Sequence, residues 1–205
     1  MRLYLIRHAE SEANVRGILD TRLPGPPLTE LGRQQSQTLA EGLGQESISA
    51  VYASHATRAR QTAEPLAEAL AVDVQSLEGV HEVSVGVLEG RADQASVEAY
   101  MGVFRQWTRG DLSVPMPGGE SGQQVRARYS TAVAELRAKH EPADPDGIVA
   151  LVSHGGAIRL SAEWLAGNVR PELADRGLIP NTGMVVLETL PDGGWTCLSW
   201  AGLPM

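Results

Sequence analysis

Two histidines in this chain stand directly after short apolar runs: His8 behind residues 3–6 and Arg7, and His154 behind residues 148–152 and Ser153. A neutral imidazole in such a place can attack an electrophile or carry a proton, although alone it more often only hydrogen-bonds a carbonyl. The neighbours of His8 favour chemistry. Arg7 precedes it, Asn14 lies six positions on, and Arg58 sits in the polar stretch 54–62. Guanidinium groups grip oxyanions through paired N–H donors, so this set suits phosphate oxygens. Phosphoryl transfer asks mainly for positioning and charge neutralisation, which fixed cations can supply without a metal. Two nearby guanidinium groups also disfavour protonation of His8 and keep it ready to attack. Gly155-Gly156, following His154, would open a helix N-terminus toward a phosphate.

These residues need a scaffold that brings positions 8, 58 and 154 together. The runs 3–6 and 148–152 are short, bulky and uninterrupted, the pattern of strands buried on both faces of a parallel sheet. Further strands are expected at 50–53 and 72–77, and a closing hairpin from 184–187 and 195–198 around Pro191-Asp192-Gly193-Gly194. Helices are expected after the N-cap Thr29, over 57–70, over about 93–107, from Glu120 or Ser121 to about Lys139, and after Gly156. Alternating strands and helices predict an α/β fold, a three-layer sandwich with a mainly parallel central sheet. Ligands of such sheets bind at the carboxyl ends of the strands, where Arg7-His8 and Ser153-His154 both fall. One domain over 1–205 is expected, with an insertion at about 91–120 covering the substrate.

Composition narrows the function. With 205 residues, 42% hydrophobic and 20% charged, the chain reads as one globular domain. Its formal net charge of -8 and lack of a basic run argue against nucleic acid, which is gripped by counterion-displacing Lys and Arg. An anionic substrate must then be held locally, by a few arginines in one pocket. The single Cys197 cannot close an intrachain disulfide and reads as an inert buried thiol. The N-terminus is too soon interrupted by charge for a secretory h-region, and no stretch approaches the roughly 18 apolar residues of a membrane span. A cytoplasmic protein is expected, with a small-molecule phosphate ester as partner, no nucleic acid and no membrane. Its oligomeric state is open, a homodimer included.

The string Leu5-Ile6-Arg7-His8-Ala9-Glu10-Ser11-Glu12-Ala13-Asn14 resembles the signature of the histidine phosphatase superfamily, the phosphoglycerate-mutase-like group. The resemblance continues in family order through Pro27-Leu28-Thr29-Glu30-Leu31-Gly32, residues 54–62, residues 82–90, Pro117-Gly118-Gly119-Glu120-Ser121 and Val152-Ser153-His154-Gly155-Gly156. It implies a phosphoglycerate-mutase-like fold and hydrolysis through a phosphohistidine on His8, with no cofactor and no metal. Arg7, Arg58 and His154 would clamp the phosphoryl oxygens, with Asn14 and Gly155 assisting in substrate binding. Glu82 would protonate the leaving oxygen, and Glu89 matches a more structural acidic position.

Three features depart from the pattern: Ala9 where Gly is commonest, Leu88 where Trp is frequent, and the unusual loop 23–27. They touch pocket shape rather than reaction type. Val83-Ser84-Val85-Gly86 replaces the Arg-His-Tyr-Gly of typical mutases, and only Arg91, Arg105 and Arg109 occur between Arg91 and Pro117. A phosphatase is therefore preferred to a cofactor-dependent phosphoglycerate mutase. A non-catalytic phosphate-binding module would need neither nucleophile nor acid, and a metallohydrolase would show ligand spacing such as HExxH. His55 and His81 are read as solvent-facing or locally bonded, His140 as bonded to the last carbonyls of its helix, and Arg126, Arg128 and Arg137 as a solvated helix face. The tryptophans are read as packing residues.

Overall fold

Along the first strand, β1 (Arg2–Arg7), Leu3 and Leu5 belong to one apolar cluster and Tyr4 and Ile6 to another. Strand residues alternate between the faces of a sheet, so both faces here must be covered. The computed structural model, which describes residues 1–205, shows how. A seven-stranded sheet contains β1, β2 (Ile48–Ala53), β3 (Val74–Ser76), β4 (Ile148–Ser153), β5 (Met184–Thr189), β6 (Trp195–Trp200) and β7 (Leu203–Pro204). The spatial order is β3-β2-β4-β1-β5-β6-β7. The first four in that order run parallel, and β5, β6 and β7 join antiparallel.

Seven helices surround the sheet: α1 (Glu12–Arg16), α2 (Glu30–Leu43), α3 (Thr57–Ala69), α4 (Gln94–Thr108), α5 (Gly122–His140), α6 (Gly155–Leu165) and α7 (Pro171–Arg176). Ala40 of α2 and Ala59, Ala63, Leu66 and Ala67 of α3 pack on the face shared by Tyr4 and Ile6. On the other face lie Tyr129, Val133 and Leu136 of α5 and Ile158 of α6. A third cluster, with Phe104 and Trp107 of α4 against Leu160 of α6, sits outside that layer. The expected α/β sandwich is present. The short helices α1 and α7 and the two-residue β7 were not foreseen, and β3 is shorter than the expected 72–77.

Capping follows local chemistry. Thr29 accepts a hydrogen bond from Gly32 N–H at 3.0 Å and starts α2, and Ser121 does the same for Gln124 at the start of α5. Gly32 is required by a close approach: a Cβ there would lie 2.0 Å from the Glu10 carbonyl oxygen. The segment after the nucleophile motif is thereby pressed onto α2.

What positions the site is the register of the two central strands. Arg7 pairs with Ser153 in the parallel β1/β4 ladder, and His8 N–H donates to Ser153 O at 3.0 Å. His8 and His154 thus leave the sheet side by side.

Candidate active site

At the carboxyl rim of β1, β2 and β4 lies a cavity of about 230 Å³ whose wall includes Arg7, His8, Asn14, Arg58, Glu82 and Gly155. Of the residues expected from sequence, only His154 is absent from that wall. It is 1% exposed and lies behind His8, the two ring centroids being 5.3 Å apart.

His8 is held in one tautomer. Its Nδ1 lies 2.7 Å from Ala9 O, an acceptor, so Nδ1 carries the proton. Arg58 Nε donates to His8 Nε2 at 3.1 Å, which requires a free lone pair there. Burial, then Arg58, with a smaller contribution from Arg7, pushes the His8 pKa down to about 3, against the pull of the Ala9 carbonyl. The ring is neutral across the physiological range, with Nε2 as its nucleophilic atom.

Arg58, the second residue of α3, is 2% exposed and uses four of its five N–H donors within the chain, leaving one on Nη1. Besides His8 it bonds Asp20 Oδ2 at 2.7 Å through Nη1, and Asp20 O at 3.0 Å and His154 Nδ1 at 3.3 Å through Nη2. Since a guanidinium only donates, His154 Nδ1 accepts, and its Nε2–H points to Ser54 Oγ at 2.9 Å. Burial and the neighbouring Arg58 hold the His154 pKa well below its ordinary value. His154 therefore meets Arg58 and Ser54 with both nitrogens and orients the arginine.

Arg7 donates through Nη1 to Ile179 O at 2.7 Å, while its buried Nε has no partner within the chain. Its side chain passes Gly155 so closely that a Cβ there would lie 3.2 Å from Nε. Asn14 uses its oxygen on Ser11 N–H at 3.1 Å and on Asn181 Nδ2 at 3.2 Å, leaving its amide N–H groups for a ligand. Asn181 also holds the His8 carbonyl at 3.0 Å.

Glu82 corrects one expectation. The Gly156 and Ala157 N–H groups at the start of α6 are not open to a phosphate; they donate to Glu82 Oε2 at 3.1 Å and Oε1 at 2.9 Å. Val83 N–H adds a third bond at 2.9 Å. The unpaired N–H groups at the helix N-terminus therefore hold the carboxyl group of Glu82 at the cavity wall. Glu89 stands one step back: it accepts from Thr21 N–H at 2.9 Å and Thr21 Oγ1 at 2.6 Å and so secures the loop that carries Asp20.

Two expectations about α5 also change. Arg128 is no solvated side chain. It pairs with Glu120 at 2.7 Å and donates to the carbonyls of Gly79 at 2.6 Å, His81 at 2.8 Å and Glu82 at 3.2 Å, clamping the loop that presents Glu82. His140 bonds Tyr52 Oη at 2.9 Å rather than the carbonyls of its own helix. Ala9 needs no glycine, since its backbone is outside the left-handed region. Trp107, Trp195 and Trp200 are buried packing residues, and Cys197 is a buried free thiol.

Asp20, Tyr100 and Arg159 also reach the cavity wall and were missed in the sequence. For Arg159 a signal existed: it is the sole charged residue in the run 155–162. Asp20 had none, because only the folded loop shows that it faces Arg58. No group of three His, Cys, Asp or Glu side chains is arranged to hold a metal ion, and no helix is long and apolar enough to cross a membrane.

Known proteins resemble this chain over most of its length. The chain is 32% identical over 212 residues to the PE-PGRS family protein PE_PGRS11 of Mycobacterium tuberculosis, covering 98% of this chain but 36% of that protein. It therefore spans little more than a third of that relative's length. It is 33% identical over 144 residues to phosphoserine phosphatase 1 of Hydrogenobacter thermophilus, covering 68% of this chain and 66% of that enzyme. Among solved structures it superposes on a mycobacterial glucosyl-3-phosphoglycerate phosphatase with a TM-score of 0.82 and 30% identity, covering 97% of this chain and 98% of the other. The family profile matches residues 3–202. The chain belongs to the histidine phosphatase superfamily, branch 1.

Proposed function

We propose that this protein is a phosphomonoesterase that hydrolyses small phosphate esters through a phosphohistidine on His8. The observation that carries the reading is the state of the His8 ring: neutral, with Nδ1–H fixed on Ala9 O and the Nε2 lone pair beside Arg58 at the cavity wall. In the first step Nε2 attacks phosphorus in line, the ester P–O bond breaks, and Glu82 gives a proton to the leaving oxygen. In the second, Glu82 takes a proton from a water that attacks phosphorus, the P–N bond breaks, and phosphate leaves with His8 restored. Arg7 Nε, Asn14 and Arg58 neutralise the equatorial oxygens, and His154 fixes Arg58 from behind. The α4 insertion covers the substrate. The names of the relatives, a phosphoserine phosphatase and a glucosyl-3-phosphoglycerate phosphatase, support the same class of reaction.

The test is a panel of phosphate esters assayed with and without EDTA, together with acid-quench trapping of the phosphoenzyme. His8→Ala should lose at least about 10³-fold in turnover, as expected for a lost covalent nucleophile. Label should be acid-labile, base-stable and on His8, and activity should survive the chelator. Label on Ser or Asp would overturn the mechanism, and metal-restored activity would favour a metallohydrolase. Efficient interconversion of 3- and 2-phosphoglycerate with negligible phosphate release would make the protein a mutase.

A further inference from the structure

The cavity has a third arginine that the reaction above does not use. Arg159 is 6% exposed and lies on the wall beyond Glu82. Its guanidinium is fixed on three sides. Nε donates to Ala174 O at 2.7 Å, Nη2 to Asp175 O, and the plane lies over the Phe104 ring with Cζ 4.6 Å from the centroid. The two carbonyls belong to the last turn of α7, where a cation complements the helix dipole. Nη1 has no partner, and no ion pair forms with Asp175 or any other acid. Tyr100 stands beside it with a hydroxyl that makes no bond within the chain. A Cβ on Gly156 would meet that hydroxyl at 2.8 Å and Glu82 Oε1 at 2.9 Å, so only glycine leaves the passage between them open.

A guanidinium packed and bonded on three sides, with its remaining edge open to the cavity, is a fixed donor for an anion that enters there. We propose that Arg159 and Tyr100 form a subsite for a carboxylate of the substrate, so that preferred esters carry a carboxylate a few atoms from the phosphorylated oxygen. One free guanidinium edge and one neutral hydroxyl match a monoanion better than a second phosphate dianion, and a cavity of about 230 Å³ restricts the ester to a small one. Within the insertion only Arg91, Arg105 and Arg109 could supply a second basic contact, and none of them lines the cavity. The contact comes from α6 instead. This inference rests on the phosphomonoesterase reading and adds a substrate class to it.

O-phosphoserine and O-phosphoethanolamine differ only by the carboxylate and make the test. The wild type should favour phosphoserine in kcat/KM by about tenfold or more, the usual consequence of leaving a buried charged partner unmet. The ratio should fall toward one in Arg159→Gln and be largely kept in Arg159→Lys, with the change in KM rather than kcat. An equal loss on both esters would mark Arg159 as merely the anchor of α7 and overturn the proposal. A wild type that hydrolyses both esters equally would overturn it without any variant, while leaving the phosphatase reading intact. A wild type that hydrolyses neither these esters nor an aryl phosphate would remove the phosphatase reading and this subsite with it.

Discussion

The unprotonated Nε2 of His8 depends on two neighbours, the Ala9 carbonyl and the Arg58 guanidinium, and both also govern how the protein responds to acid. With a native pKa near 3 and an unfolded value near 6.5, the unfolded chain binds a proton at His8 between those limits while the native chain does not. Stability therefore falls as pH drops from about 6.5 toward 3, by an amount on the order of a few kcal/mol. His154 is shifted in the same direction. Denaturant midpoints measured across this window should decline less steeply in His8→Gln, and an unchanged slope would show that the ring is not the neutral, buried group described. Asp20 acts on the same arginine. Its carboxylate holds Arg58 at 2.7 Å and also lines the cavity, so it occupies a cation that the phosphoryl oxygens require. Burial raises its pKa, opposed by Arg58 and assisted by Glu89. Asp20→Asn should bind inorganic phosphate several-fold more tightly at pH 7 to 8, since like charges repel, and weaker inhibition by phosphate would show instead that Asp20 is needed to aim Arg58. Arg7, His8, Asn14, Arg58, Glu82 and Gly155 could be picked from the sequence because motif spacing identifies them. Asp20 could not, because its meaning lies in which distant segment faces it, and Arg159 showed only as a lone charge in an apolar run.

At the scale of elements, the placement of Glu82 is shared between two helices. The start of α6 fixes the carboxylate through Gly156 and Ala157, and α5 fixes the backbone behind it through Arg128 and Glu120, which also accepts from Ser84 N–H at 2.8 Å. Removing Arg128 frees the carbonyls of Gly79, His81 and Glu82 and lets the acid shift from the leaving oxygen. Arg128→Gln should therefore slow alkyl phosphates roughly tenfold more than aryl phosphates, whose leaving groups need less protonation. Glu82→Gln should show the same signature more strongly. A uniform loss across both classes would mean that Arg128 supports only the fold. Helix α5 itself was easy to see in the sequence, from its capping Ser121 and a following run, 123–140, without proline or glycine. The role of Arg128 was hidden because the loop it grips is 46 to 49 residues away in the chain, and periodicity carries no record of such a contact.

For the molecule as a whole, the parallel half of the sheet was legible because buried strands leave unbroken apolar runs and their carboxyl ends carry the polar motifs. Strand order was not. The β5/β6 hairpin was expected, but nothing local tells that β1 lies between β4 and β5 or that this hairpin joins β1 antiparallel. That central place of β1 has a kinetic meaning. The amides of Arg7 and His8 are bonded to Gly183 O and Ser153 O at the end of the most central strand, so they should exchange with solvent deuterium only when the entire domain opens. Helix α7, six residues long with only Ala174 buried, leads into the loop whose Leu178 and Ile179 line the same cavity. Its amides should exchange through local opening, orders of magnitude sooner, and matching rates in the two places would contradict this division. The pocket is then built from two parts with different lifetimes: a phosphoryl-handling wall that persists as long as the domain does, and a recognition wall that can breathe, admit an ester and release its alcohol while the nucleophile stays in place.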